Sequence, residues 1–282
     1  MRTQAEKARA FRDLHEREGA FIIPNPWDVG SARLLEQTGF EALATTSSGY
    51  AFSLGRLDYQ VSRDEMMLHV AQVAAATDIP VSADLENGYG DSPATVAETV
   101  RMAVAAGLAG CSIEDTTNRV GDPIHEFGFA VERVRAAVDV VRHLPFPFML
   151  TARADSHLHG RNDLPDTIRR LQAFEEAGAN VLYAPGVTDL GDLETLIKSV
   201  GRPVNVLAGM MGTHFDMDTL TRIGAKRVSI GGALSRYAYG ATLTAAREMK
   251  ELGTFGFVNG PVSSAEIGEI FNRYPAESRD LE

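Results

Sequence analysis

Ala106-Gly107-Leu108-Ala109-Gly110-Cys111-Ser112-Ile113-Glu114-Asp115 holds a helix end, a strand and two acids within ten residues. Apolar residues spaced three and four apart run through 94–106 and stop at Gly107, the residue type that best takes the left-handed cap after a helix. The run 110–114 is short and apolar, as a buried strand is, and it ends in charge. The same helix–glycine–strand junction returns in Thr38-Gly39-Phe40-Glu41-Ala42-Leu43, in Ala177-Gly178-Ala179-Asn180-Val181-Leu182 and in Ile223-Gly224-Ala225-Lys226-Arg227-Val228. A junction repeated in that order marks strand–helix units that lay parallel strands side by side.

Strands are expected at 20–24, 41–46, 80–85, 110–114, 147–153, 180–184, 203–208 and 227–231, with helical periodicity at 63–76, 94–106, 131–142 and 164–177. Eight such units in 282 residues predict the α/β class and a (β/α)8 TIM-type barrel. An open doubly wound sheet is the alternative, but no Gly-x-Gly-x-x-Gly follows the first strand. No interior linker or low-complexity tract breaks the chain, so a single barrel domain over 1–282 is expected. It carries an N-terminal helix within 1–19 and a C-terminal extension at 253–282, where the capping-box pattern Ser263-Ser264-Ala265-Glu266 should open a helix running to about Arg273.

Composition narrows the functions. Lys and Arg number 27 against 38 Asp and Glu, a formal charge of -11, which disfavours nucleic acid and acidic membranes as partners. No apolar run approaches a membrane span, and the charged start Met1-Arg2-Thr3-Gln4-Ala5-Glu6-Lys7 does not read as a secretory leader, so a cytoplasmic location is expected. One cysteine, Cys111, excludes an internal disulfide framework and a Cys-rich metal site. A small-molecule ligand is the expectation that remains.

Three strand ends are acidic: Val81-Ser82-Ala83-Asp84-Leu85-Glu86-Asn87-Gly88-Tyr89-Gly90, Ile113-Glu114-Asp115 and Phe148-Met149-Leu150-Thr151-Ala152-Arg153-Ala154-Asp155. Strand alternation would turn Asp84 and Glu86 to one side. In a barrel, the C-terminal strand ends form the active site, and crowded carboxylates there call for a cation. Oxygen donors without His or Cys spacing suit Mg²⁺ or Mn²⁺ better than zinc. Arg153 offers a fork for a substrate carboxylate or phosphonate. Each acid alone has a structural alternative as a cap or a solvated loop residue; Asp91-Ser92-Pro93 reads as such a cap.

In order along the chain, Asn25-Pro26-Trp27-Asp28, Ser53-Leu54-Gly55-Arg56-Leu57-Asp58, Asp84-Leu85-Glu86-Asn87-Gly88-Tyr89-Gly90, Ile113-Glu114-Asp115 and Thr151-Ala152-Arg153 resemble the isocitrate lyase and phosphoenolpyruvate mutase superfamily. The resemblance spans nearly the whole chain. It implies a Mg²⁺ held by Asp84 and, largely through water, by Asp58, Glu86 and Glu114. It also implies that Thr46, Ser47 and Ser48 give backbone N–H groups to a substrate carboxylate and that Arg153 holds the same substrate. It further implies a homotetramer, a dimer of dimers in which the last barrel helix is exchanged between neighbours.

The departures concern the reaction. Superfamily lyases for isocitrate and methylisocitrate carry a Lys-Lys-Cys-Gly-His or Lys-Arg-Cys-Gly-His loop, whereas Thr116-Thr117-Asn118-Arg119-Val120-Gly121-Asp122-Pro123-Ile124-His125-Glu126-Phe127-Gly128 has no cysteine. Alternation turns Cys111 away from Ser112 and Glu114, toward the helices. His125 and Asn118 are then the loop residues nominated for proton transfer or leaving-group contact. Tyr89 either faces the site or packs the turn.

The function expected is a Mg²⁺-dependent lyase-like enzyme on a small 2-oxo or 2-hydroxy di- or tricarboxylate, making or breaking a C–C bond through an enolate. Phosphonate P–C mutase or hydrolase chemistry, oxaloacetate decarboxylation or hydrolysis, and non-catalytic 2-oxo-acid binding are the alternatives. A zinc hydrolase built on His157 and His159 and a phosphate-binding barrel built on Gly231-Gly232 are weaker competitors. A Schiff-base aldolase lacks a lysine at a strand's C-terminal end.

Overall fold

The computed structural model describes residues 1–260 and 262–274. Eight parallel strands follow one another around a barrel: β1 Phe21–Ile23, β2 Leu43–Ala44, β3 Val81–Asp84, β4 Gly110–Glu114, β5 Met149–Arg153, β6 Val181–Tyr183, β7 Val204–Leu207 and β8 Arg227–Ser229. Sequence neighbours pair from β2 to β8, and β8 pairs with β1 through Phe21 opposite Arg227. The seam between β1 and β2 is thinner: Ala44 N–H donates to Pro24 O at 3.1 Å. The (β/α)8 expectation holds, and all eight strands fall inside the expected runs.

The repeated glycines do what their position required. Gly39, Gly107, Gly178 and Gly224 have φ of 97°, 86°, 106° and 95°, the left-handed region that a side chain resists. Each ends a helix and turns the chain into the next strand. Gly110 meets a different demand: a Cβ there would lie 2.5 Å from Met149 O and 3.1 Å from Phe11 Cε1.

Between strands, helices such as Arg63–Ala76, Pro93–Ala105, Phe127–Val141 and Leu164–Ala177 lay their apolar faces on the barrel. Leu85, Val100, Leu150, Leu171 and Phe174, all buried, belong to that helix–barrel layer. A second apolar cluster seals the barrel bottom, where Phe11 and Leu14 of helix Gln4–Glu16 pack on Phe21, Ile23 and Val181. Substrate access is thereby left to the opposite end. Ser263 caps helix Ser264–Phe271, slightly shorter than expected; of the extension 253–282, Pro261 and residues 275–282 lie outside the described residues. No helix among the described residues is long and apolar enough to cross a membrane.

Candidate active site

The C-terminal strand ends surround a cavity of about 160 Å³. Asp58, Asp84, Glu114 and Arg153 line it, together with Thr46, Ser47 and Ser48. Asp84 ends β3, and its carboxylate is shared: Oδ1 accepts from Arg153 Nη1 at 3.0 Å, while Oδ2 accepts from Ser47 N at 3.1 Å and Ser47 Oγ at 2.9 Å. Ser47 opens helix Ser47–Ser53, whose cap Thr46 accepts from Gly49 N–H. A Cβ on Gly49 would lie 2.6 Å from Thr46 Cγ2, so glycine keeps this turn tight.

Glu114 ends β4 and is 2% exposed. Its Oε1 accepts from Tyr59 OH at 2.8 Å and Thr116 Oγ1 at 2.7 Å, and its Oε2 lies 2.9 Å from Arg153 Nη2. Arg153 ends β5, stacks over the Tyr183 ring and donates also to both oxygens of Asp155, at 3.2 and 2.6 Å. One guanidinium thus meets three carboxylates. Asp115, expected only as a strand-end acid, sits in a supporting layer: Oδ1 accepts Asp155 N–H at 2.8 Å and Oδ2 meets Arg170 Nη1 at 3.2 Å.

The acids outnumber the charge that answers them. Burial, then the neighbouring Asp84, pushes Asp58 up to about 6; burial and the same neighbour push Glu86 up to about 9. Burial raises Glu114 as well, against the pull of Arg153. Burial opposes the charge on Arg153, but Asp155, Glu114 and Asp84 outweigh it and hold the guanidinium firmly protonated.

Glu86 departs from simple alternation. The strand ends at Asp84, and Glu86 has φ 49°, so its backbone turns left-handed and its side chain is buried beside the cavity rather than lining it. Its Oε1 is buried without a hydrogen-bond partner. An orphaned carboxylate oxygen beside three further acids is a donor set that fits a hard divalent cation. Among the described residues no three Asp, Glu, His or Cys side chains close into a direct cage.

The loop nominees are not brought to the cavity. His125 is buried with Nε2 3.6 Å from Asp91 Oδ1 and its ring against Phe129, and burial followed by Arg133 pushes it down to about 4. Neither it nor Asn118 lines the cavity. Asn118 is exposed at φ 57°, on a loop closed by the Thr116–Ile124 bridge, and its Oδ1 lies 3.5 Å from Thr116 Oγ1. Cys111 is fully buried in the helix–barrel layer, as alternation required.

The competitors also find their places. His157 Nδ1 meets Thr167 Oγ1 at 3.2 Å in the short 3-10 helix Ser156–His159, and among the described residues no three metal-ligating side chains gather there. Gly231 N–H is occupied by Asn25 Oδ1 at 2.9 Å. Lys226 Nζ donates to Gly19 O at 2.8 Å, before its strand begins.

Among the cavity residues that escaped the sequence reading are Tyr59, Tyr183, Asn205 and Arg227. The last three are inward positions of β6, β7 and β8. Polar residues alternating with apolar ones in strands buried on both faces were the available signal.

The Phosphoenolpyruvate phosphomutase family model matches residues 11–250. A Burkholderia cenocepacia J2315 structure, provisionally named a lyase/mutase, is 57% identical with a TM-score of 0.93, covering 95% of this chain and 96% of its own. The 2-methylisocitrate lyase of Escherichia coli K12 is 30% identical over 70% of this chain and 68% of its own length. The oxaloacetate decarboxylase of Paraburkholderia xenovorans LB400 is 32% identical over 71% and 68%.

Proposed function

We propose that this chain, which belongs to the isocitrate lyase and phosphoenolpyruvate mutase superfamily, is a carbon–carbon lyase acting on a small 2-oxo or 2-hydroxy di- or tricarboxylate through an enolate. The observation that carries the proposal is the acid set at one cavity: Asp84 and Glu114 bound to Arg153, Asp58 on the same lining, and Glu86 buried beside it. Asp84 would hold Mg²⁺ or Mn²⁺, with Asp58, Glu86 and Glu114 reaching it largely through water. When bound, such an ion supplies positive charge beside the oxygen on which an enolate's charge develops.

The chain's own groups do the rest. Arg153, already fixed by three carboxylates and the Tyr183 face, presents an oriented guanidinium to the substrate carboxylate. Thr46, Ser47 and Ser48 bring N–H and hydroxyl groups to the same cavity, where Ser47 now donates to the other oxygen of Asp84. Asn118, whose Oδ1 lies 3.5 Å from the Thr116 hydroxyl that touches Glu114, is proposed for leaving-group contact; His125, held at Asp91, is the second nominee.

Oxaloacetate decarboxylation or hydrolysis is a second reading, favoured by the cysteine-free loop and by the Paraburkholderia relative. A cytoplasmic homotetramer with the last barrel helix exchanged is part of the proposal. Helix Ala233–Arg247 supports the exchange, since Ser235 is its one buried residue and Tyr237 is 79% exposed.

The test is a panel of isocitrate, methylisocitrate, dimethylmalate, oxaloacetate and phosphonopyruvate, with Mg²⁺ and with chelator, on wild type and Asp84→Ala. Turnover of one carboxylate that needs both the ion and Asp84 is expected. Turnover surviving chelator and substitution together would overturn the mechanism, and 2-oxo-acid binding without any turnover would favour a binding protein.

A further inference from the structure

We propose that Arg227 is a second anion-binding group of this cavity and that the preferred substrate is a short 2-oxo or 2-hydroxy diacid whose far carboxylate it receives, a narrowing that rests on the lyase proposal above. Among the described residues, two cations line the cavity, Arg153 and Arg227. Arg153 is taken up by Asp84, Glu114 and Asp155. Arg227 has no carboxylate within 4.0 Å among the described residues, although it is only 4% exposed.

What surrounds Arg227 is neutral and fixed. Its Nε donates to Asn205 Oδ1 at 2.8 Å and its Nη2 to Thr151 Oγ1 at 3.1 Å. Asn205 in turn donates to Ser229 Oγ at 2.9 Å, which sets the amide so that its oxygen faces the guanidinium. The third nitrogen, Nη1, is buried with no partner. Burial without a counter-ion holds this guanidinium down to about 10. A neutral side chain of similar length would fill the position without that penalty, so a charge kept there is explained by an anion that arrives.

The position also sets the ligand's length. Thr151, which anchors Nη2, lies two residues before Arg153 on the same face of β5, roughly 6.6 Å along the strand. The guanidinium of Arg227 is therefore reached one inward layer below the acid ring, at the level where Ser82 and Ser112 stand two residues before Asp84 and Glu114. A cavity with one polar end at Asp84 and Ser47 and another at Arg227 suits a short acid that carries a carboxylate at each end.

Calorimetric titration in the presence of Mg²⁺ tests this with three probes: oxalate, which needs only the acid-ring end; lactate, a 2-hydroxy monoacid; and malate, its diacid counterpart. Wild type is expected to bind malate at least about tenfold more tightly than lactate, a gap sized by a charge-assisted hydrogen bond. Arg227→Met should weaken malate by about 10- to 100-fold and leave oxalate within about twofold, with Arg227→Lys recovering part of the loss. Equal affinity of wild type for malate and lactate would overturn the proposal without any variant being needed. So would an equal loss of oxalate and malate in Arg227→Met, the mark of a structural arginine. Should that variant misfold, Thr151→Val loosens one anchor of the guanidinium and should weaken malate more than oxalate; no difference there counts against Arg227. Failure of wild type to bind oxalate at all would instead sink the lyase proposal, and is told apart because it precedes every variant.

Discussion

Arg153 Nη1 lies 3.0 Å from Asp84 Oδ1, joining the last residue of β5 to the last residue of β3 across the mouth of the barrel. Glu114, on the strand between them, receives Nη2 at 2.9 Å. Removing the guanidinium leaves these acids facing each other in a buried site. Arg153→Ala is expected to lower kcat/KM by at least about 100-fold, and Arg153→Lys to keep the charge but lose the fork and most of the activity. Steady-state kinetics on the substrate found by the panel checks both; near wild-type kcat/KM for the alanine variant would contradict the role.

The same crowding makes the metal-free protein sensitive to pH. Asp58 and Glu86 are pushed up to about 6 and about 9, chiefly by burial and next by Asp84. A carboxyl whose folded-state proton affinity is raised binds its proton more tightly in the fold than in the unfolded chain. Its stabilising contribution is complete below the ordinary carboxylate range and is lost as pH climbs through 6 and on toward 9. Chelator-treated protein should therefore show a falling Tm from about pH 5 to about pH 8, and added Mg²⁺ should raise Tm more at the upper end. A Mg²⁺ effect independent of pH would argue against ion binding by these acids.

Tyr59 OH donates to Glu114 Oε1, next to the Asp58 that the resemblance had singled out. Tyr59→Phe removes one hydrogen bond to a carboxylate and should destabilise by about 1–2 kcal/mol at most. Its larger effect should fall on the apparent affinity for Mg²⁺, because Glu114 loses a group that fixes its orientation. Activity titrated against Mg²⁺ concentration reads this; an unchanged midpoint would assign Tyr59 to covering the site alone.

Burial pushes the Cys111 thiol up to about 12, and the residue is fully enclosed. It should not react with a thiol reagent in the native protein, and Cys111→Ala should keep kcat/KM within about threefold. A large loss of activity with an intact fold would return cysteine to the mechanism.

Phe11 is fully buried at the barrel bottom, far from the acids. Phe11→Ala should cost about 3–5 kcal/mol of stability, read as a lowered midpoint of chemical unfolding, while Mg²⁺ dependence stays as in wild type.

Local rules were enough for the frame. Gly39, Gly107, Gly178 and Gly224 announced helix ends because only a residue without Cβ takes positive φ at no penalty, and the eight apolar runs between them became the eight strands. Alternation within one strand sent Glu114 to the cavity and Cys111 to the helices. Those are near-neighbour properties, carried by a few consecutive residues. Closure of the barrel decided the rest. It drew Arg153 onto three acids, turned His125 to Asp91 instead of the cavity, and set Arg227 beside Thr151, 76 positions away, with one nitrogen unanswered. Where a long side chain ends depends on which distant strands surround it, and that neighbourhood exists only once the sheet has closed.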